Sequence, residues 1–176
     1  GLRRRILAEQ ADQVHALGEP AMQIPREQDR IYPQGSMAAH VLGYVANERG
    51  DAGGKVGMEA YFDDVLTGEQ TRLQPVVLSI DSRVQGALED ELAWGMEMSR
   101  AKGAAGIILD VDTGEVLALA SLPAFNPNKV TQRDKFVTQE LADRGETANV
   151  FNRVTNQVYE LGSTFKPITV AAALDA

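Results

Sequence analysis

The sequence contains no cysteine, two histidines, one tryptophan and only 6% aromatic residues across 176 positions. Without a thiol there is no disulfide framework, no thiolate nucleophile and no cysteine-based zinc ligand set. His15 and His40 stand far apart in the chain and leave little from which to build a metal centre, so no metal or other cofactor is expected. No stretch approaches the roughly 18 consecutive apolar residues of a membrane-spanning helix, and no secretory signal is present. Positive charge is also scarce: 17 basic residues face 25 acidic ones, for a net charge of -8 and a pI near 4.8. That balance argues against nucleic acid or an anionic membrane surface as the main partner. Gly1 to Arg5 opens inside a basic, helix-like pattern, and Asp175-Ala176 falls inside a second helical pattern. The sequence therefore reads as a piece of a longer protein, with any membrane anchor elsewhere.

What is present is 44% hydrophobic residues, enough for one medium core or two small ones. The apolar stripe Ile6, Leu7, Val14, Leu17 predicts a helix over Arg4 to Leu17, closed by Gly18. Met22 to Tyr32 alternates as an edge strand broken at Pro25. Pro33-Gln34-Gly35 is a turn, and Ala38 to Gly43 is a short helix with a terminal glycine. Asn47 to Gly57, with four glycines, reads as a loop, and Met58 to Leu66 as a helix stopped by Gly68. Composition shifts at Thr71 to Pro75. Val76 to Ile80 is then β-branched and reads as a buried strand. Asp81 is an N-cap for a helix over Ser82 to Lys102, with Val84, Leu88, Leu92 and Met96 on one face. Glu89, Asp90 and Glu91 fan around that helix as a solvated face rather than converging on a metal. Ala104 to Val111 and Glu115 to Ser121 form a hairpin around Asp112-Thr113-Gly114. Pro123 to Asn149 is mostly connection, with a short helix over Asp134 to Leu141. The expected class is α+β, with a small module over 1–72 and a second domain beginning at 73 and running to 176.

One spacing carries chemistry. Ser163 and Lys166 lie three apart at the mouth of a helix, on one face, so the amine can reach the hydroxyl and act as base to a serine nucleophile. Ser-x-x-Lys by itself is weak, arising by chance in roughly half of chains this long, and it occurs twice here. The other copy, Ser99 to Lys102, closes a helix ahead of Gly103 and reads as a solvated helix end. Around Ser163 the setting differs. Gly162 permits a tight turn, Phe165 separates the pair, and Pro167 has no N–H for the Ser163 carbonyl, so the opening turn should be distorted. A lysine acting as base must be held neutral, which takes burial or a nearby cation, and Phe165 and Ile168 are the expected desolvating neighbours.

The order of motifs resembles the class B penicillin-binding proteins, and among them the division-specific peptidoglycan transpeptidases. It runs Arg30-Ile31-Tyr32-Pro33, Ala38-Ala39-His40-Val41-Leu42-Gly43, Gly57-Met58-Glu59 with Phe62-Asp63, and Leu78-Ser79-Ile80-Asp81 with Gln85. After these come Asp110 to Ala118, Asn126-Pro127-Asn128 and Gly162 to Pro167. Ser-x-x-Lys is the shared signature of penicillin-binding proteins and class A β-lactamases. The resemblance implies that 1–72 is part of an extracytoplasmic pedestal, or dimerisation-like, module and that 73–176 opens a transpeptidase domain of serine β-lactamase-like fold. It implies that Ser163 and Lys166 are catalytic, and that Arg30 and Glu59 hold the pedestal together. It implies substrates ending in D-Ala-D-Ala on peptidoglycan stem peptides, β-lactam antibiotics as ligands, and a membrane glycosyltransferase and other division proteins as partners. The implied place is the periplasmic face of the inner membrane. The Ser-x-Asn and Lys-Thr-Gly motifs of such enzymes are missing, Lys55-Val56-Gly57 being a false echo ahead of the serine, so these residues alone should be inactive. A class D β-lactamase, which also uses Ser-Thr-Phe-Lys, and a non-catalytic division-complex module are the alternatives.

Overall fold

The computed structural model of the chain describes residues 6, 8–24, 29–48, 51–68 and 74–176. Two compact units divide it, residues 1–31 and 32–176. In the first, α1 spans Ala8–His15 and is followed by Gly18 at φ 68°. The start of the helix predicted from Arg4 lies outside the described residues. The strand predicted over Met22 to Tyr32 is not formed: 22–24 and 29–32 are irregular, and 25–28 lie outside the described residues. Arg30 falls in this irregular stretch.

The second unit is α+β, with two antiparallel two-stranded sheets. Its first half contains α2 (Ala39–Leu42), β1 (Tyr44–Glu48), β2 (Asp51–Val56), α3 (Gly57–Tyr61) and α4 (Asp63–Thr67). The predicted helix over Met58 to Leu66 is thus two short ones, separated at Phe62. The predicted loop over Asn47 to Gly57 is instead the β1–β2 hairpin, with a register shift between Tyr44 and Val45. The reason is close approach. A Cβ at Gly54 would overlap the carbonyl of Glu59, so glycine lets α3 lie directly against the backbone of β2. Asp63 then accepts the Gly54 N–H at 2.7 Å. Glycines that look like loop punctuation in the sequence are here the floor of a helix–strand contact.

The second half of the unit begins with α5 (Ser82–Ser99) and the hairpin β3 (Ala104–Leu109) and β4 (Val116–Leu122). Asp81 caps α5 as predicted, accepting from the N–H groups of Arg83 and Val84. The Arg83 guanidinium, with those amides, pushes the Asp81 carboxyl down to about 2. At the other end Arg100, at φ 52°, makes the left-handed turn for which Gly103 was expected. Val76 to Ile80 is not a strand, and Val77 is 86% exposed. In place of a ladder, Ser79 Oγ donates to the Val116 carbonyl at 2.8 Å, beside a backbone bond from Asp81 N to Leu117 O at 3.0 Å. Leu119 in β4 gives its N–H and C=O to the side-chain amide of Gln85, at 2.9 Å each. That amide is fully buried, and both of its faces are used.

Short elements complete the unit: a 3-10 turn at Pro127–Lys129, then α6 (Gln132–Lys135), α7 (Gln139–Asp143) and α8 (Arg153–Asn156). The helix predicted over Asp134 to Leu141 is therefore split into α6 and α7. Ala39, Tyr44, Ala46 and Phe125 form the core, with Val56, Val130 and Val150 packed on it. The Phe125 ring meets Tyr44 and His40 edge-on, with centroids 5.9 and 5.2 Å apart. Polar contacts tie 32–40 both to 128–149 and to α5. Asn128 pairs with both the N–H and the C=O of Tyr32 at 2.8 Å. Glu89 accepts the Ala38 N–H at 2.8 Å and the Gln85 amide at 2.7 Å, so it is a structural acceptor rather than part of a purely solvated face. His40 Nε2 donates to the Asn149 carbonyl at 2.7 Å, and burial holds the imidazole below its ordinary pKa of 6.5.

Candidate active site

Ser163 and Lys166 sit where two helical geometries meet. A 3-10 turn over Gly162–Phe165 leads directly into α9 (Lys166–Asp175), with Gly162 at φ 54°. The Ser163 carbonyl accepts the backbone N–H of Lys166, three residues on. An α-helical bond would have to come from residue 167, which is proline and has no N–H. The tightened turn is thus a direct product of the sequence, as the proline predicted. Thr164 reinforces it, with its N–H at 3.1 Å and its hydroxyl at 2.5 Å from the Leu161 carbonyl.

The surroundings are open. Every residue from Val158 to Ala176 is exposed, including Ser163 and Lys166. Phe165 and Ile168, expected to desolvate the lysine, are 51% and 56% exposed. Among the described residues they do not enclose it. The other Ser-x-x-Lys is built differently: Ser99 Oγ bonds back to the Gly95 carbonyl at 2.6 Å, and Lys102 Nζ donates to the Arg144 carbonyl. Of the remaining predicted residues, Glu59 is buried in α3, while Arg30 lies in the first unit. Among the described residues no group of three or more histidine, aspartate or glutamate side chains is arranged to hold a metal ion. A shallow apolar hollow of about 510 Å³ along α5 and β3 is lined by Val84, Ala87, Leu88 and Ile108 with Arg83 and Glu91, and not by Ser163 or Lys166.

Two family models match in tandem. Residues 2–89 match the penicillin-binding protein dimerisation domain, and residues 104–176 match the penicillin-binding protein transpeptidase domain. The chain belongs to the penicillin-binding protein family. This penicillin-binding protein chain is 39% identical over 173 residues to the probable peptidoglycan D,D-transpeptidase FtsI of Caulobacter vibrioides, covering 95% of the chain and 26% of that protein. Against the peptidoglycan D,D-transpeptidase FtsI of Escherichia coli K12 it is 31% identical over 195 residues, 98% of the chain and 31% of the relative. Stage V sporulation protein D of Bacillus subtilis is 30% identical over 198 residues, 98% and 28% respectively. The chain spans less than a third of the length of each of these relatives. Ser163 and Lys166 fall in the segment matched to the transpeptidase domain, Arg30 and Glu59 in that matched to the dimerisation domain.

Two residues that the sequence does not single out frame this site from a distance. Arg153 is buried at 7% exposure, and Gln157 stands just ahead of the exposed segment. The only sequence signal is Asn152, whose side chain caps α8 by accepting the Val154 N–H at 3.0 Å. A capped short helix ahead of the Ser163 turn marks where to look, but its anchors are remote in sequence.

Proposed function

We propose that the intact protein is a peptidoglycan D,D-transpeptidase that cross-links stem peptides during septal cell-wall synthesis and is a target of β-lactams. Ser163 is its nucleophile and Lys166 its general base. The observation that carries this reading is the Ser163–Lys166 turn, locked by Pro167, within a segment matched to the transpeptidase domain and preceded by one matched to the dimerisation domain. Ser163 Oγ attacks the carbonyl between the two D-alanines while Lys166 Nζ takes its proton. The terminal D-alanine leaves, and the amine of a second stem peptide resolves the acyl-enzyme into a cross-link. The Ser163 N–H is one oxyanion donor. The rest of the constellation, a Ser-x-Asn and a Lys-Thr-Gly strand, would come from outside these residues, so the chain alone is inactive.

The chain divides its labour in two along its length. Residues 1–72 serve as a pedestal, where Arg30 and Glu59 act on structure and on coupling to a membrane glycosyltransferase and other division proteins. Residues 73–176 open the catalytic domain. Because peptidoglycan lies outside the inner membrane, the protein works at the periplasmic face. Among the described residues no helix is long and apolar enough to cross a membrane.

A labelled penicillin tests this reading on the full-length protein. The wild type should be labelled stoichiometrically and hold the label for many minutes, Ser163→Ala should not be labelled, and Arg30→Ala should be labelled normally while losing stability or septal activity. Absence of label on the wild type would overturn the reading. Rapid loss of label with drug turnover would replace it with a β-lactamase.

A further inference from the structure

The exposed segment that carries Ser163 needs something to fix where it starts. Beyond Gln157 the chain has no buried residue to Ala176. The last side-chain tie to the β3–β4 hairpin ahead of Ser163 is the Arg153–Gln157 pair. Arg153 Nε donates to the Leu122 carbonyl at the end of β4, at 2.9 Å. Its Nη1 donates to Gln157 Oε1, also at 2.9 Å. Its backbone N–H donates to Ser121 Oγ at 3.0 Å, and Ser121 Oγ in turn donates to the Phe151 carbonyl at 3.4 Å.

Gly103 completes the cradle. A Cβ there would overlap Nε and Cζ of Arg153, so the guanidinium lies flat against the backbone that enters β3. One planar cation therefore bridges the start of β3, the end of β4 and the exit of α8. The fixed fork of arginine suits this task, because Nε and Nη1 hold two carbonyl-type acceptors at set angles that a lysine ammonium does not reproduce.

We propose that Arg153 and Gln157 are positioning residues for the Ser163–Lys166 turn. By pinning Gln157 to the β4 terminus, the guanidinium sets the direction in which Val158 to Leu161 leave the hairpin, and so the place of the nucleophile. The proposal rests on the transpeptidase reading above and assigns no chemistry to either residue. Catalysis is sensitive to such placement: a displacement of about 1 Å at the reacting atoms can cost on the order of a hundredfold in rate.

The experiment uses the full-length protein and a chromogenic or fluorescent β-lactam, separating the dissociation constant of the initial complex from the acylation rate constant. Gln157→Ala should lower the acylation rate constant about tenfold to a hundredfold with little change in initial binding. Gln157→Glu, which keeps an acceptor for the guanidinium, should recover most of that loss. Arg153→Lys should lower the acylation rate constant at least as far, and circular dichroism on the same sample confirms that it is folded. If Gln157→Ala and a folded Arg153→Lys acylate at the wild-type rate while only their melting temperatures fall, the two residues are purely structural and the proposal is wrong. If the wild type itself takes up no β-lactam, the transpeptidase reading fails first and takes this one with it.

Discussion

The two Ser-x-x-Lys tetrads share a spacing and little else. Ser99 ends α5 with its hydroxyl turned back on the Gly95 carbonyl, and Lys102 is engaged with the Arg144 carbonyl. A serine bonded to its own helix and a lysine donating to a carbonyl have no shared task, and between them Arg100 adopts the left-handed conformation that ends the helix. Ser163 begins a helix instead. Its carbonyl takes the Lys166 N–H across a turn that Pro167 keeps from relaxing into α geometry. The difference lies in the backbone: one tetrad sits where a helix stops, the other where a helix is started under constraint.

Substitutions in pairs test that contrast most strongly. Ser163→Ala should reduce β-lactam acylation of the full-length protein by about a thousandfold or more, since it removes the proposed nucleophile. Ser99→Ala should leave the rate within about twofold, as a solvated helix end carries no chemistry. Equal losses at the two serines would break the comparison. Lys166→Met should cost roughly a hundredfold to ten-thousandfold, the range of general-base catalysis, whereas Lys102→Met should alter only stability, read as a melting temperature.

A second contrast sets the exposed segment 158–176 against the packed body that supports it. Gln85→Leu leaves the Leu119 N–H and C=O without their partner inside the body. It should lower the unfolding free energy by about 1–3 kcal/mol for each orphaned group, measured by denaturant titration, without altering acylation of the protein that remains folded. Gly103→Ala forces a methyl into the Arg153 guanidinium and should cost about 1–3 kcal/mol by overpacking.

The smallest effect expected is a pH dependence from His40. Burial is the main cause that holds its pKa below 6.5, and Arg153 adds to it, while the Asn149 carbonyl and Glu89 pull the other way. Below about pH 6.5 the unfolded chain therefore takes up a proton before the folded one, and stability falls as the pH drops. His40→Gln should shrink the difference in unfolding midpoint between about pH 7.5 and about pH 5.5. An undiminished difference would remove His40 as its source.

Much of the molecule was legible in the sequence where the signal was local. Asp81 ahead of an apolar stripe gave α5, Asp112-Thr113-Gly114 between two apolar runs gave the β3–β4 hairpin, and Pro167 gave the tightened turn at Ser163. The features that escaped depend on contacts distant in sequence. Gly54 reads as loop because nothing nearby shows that α3 will lie on it. Val76 to Ile80 reads as a strand by residue type, yet the backbone bond to β4 comes from Asp81 just after it, and Leu119 is already paired with the Gln85 amide. Arg153 is unremarkable in its own neighbourhood, since its partners at Gly103 and Leu122 are placed beside it only by the fold. The desolvation expected of Phe165 and Ile168 does not come from the described residues, because side chains on an exposed helix start cannot bury a neighbour alone.

The most direct test is peptide mapping by mass spectrometry of the full-length protein after a brief exposure to penicillin. The account predicts one acyl adduct, on the peptide that contains Ser163, with the Ser99 peptide unmodified. An adduct on Ser99, on another serine, or on none would contradict it.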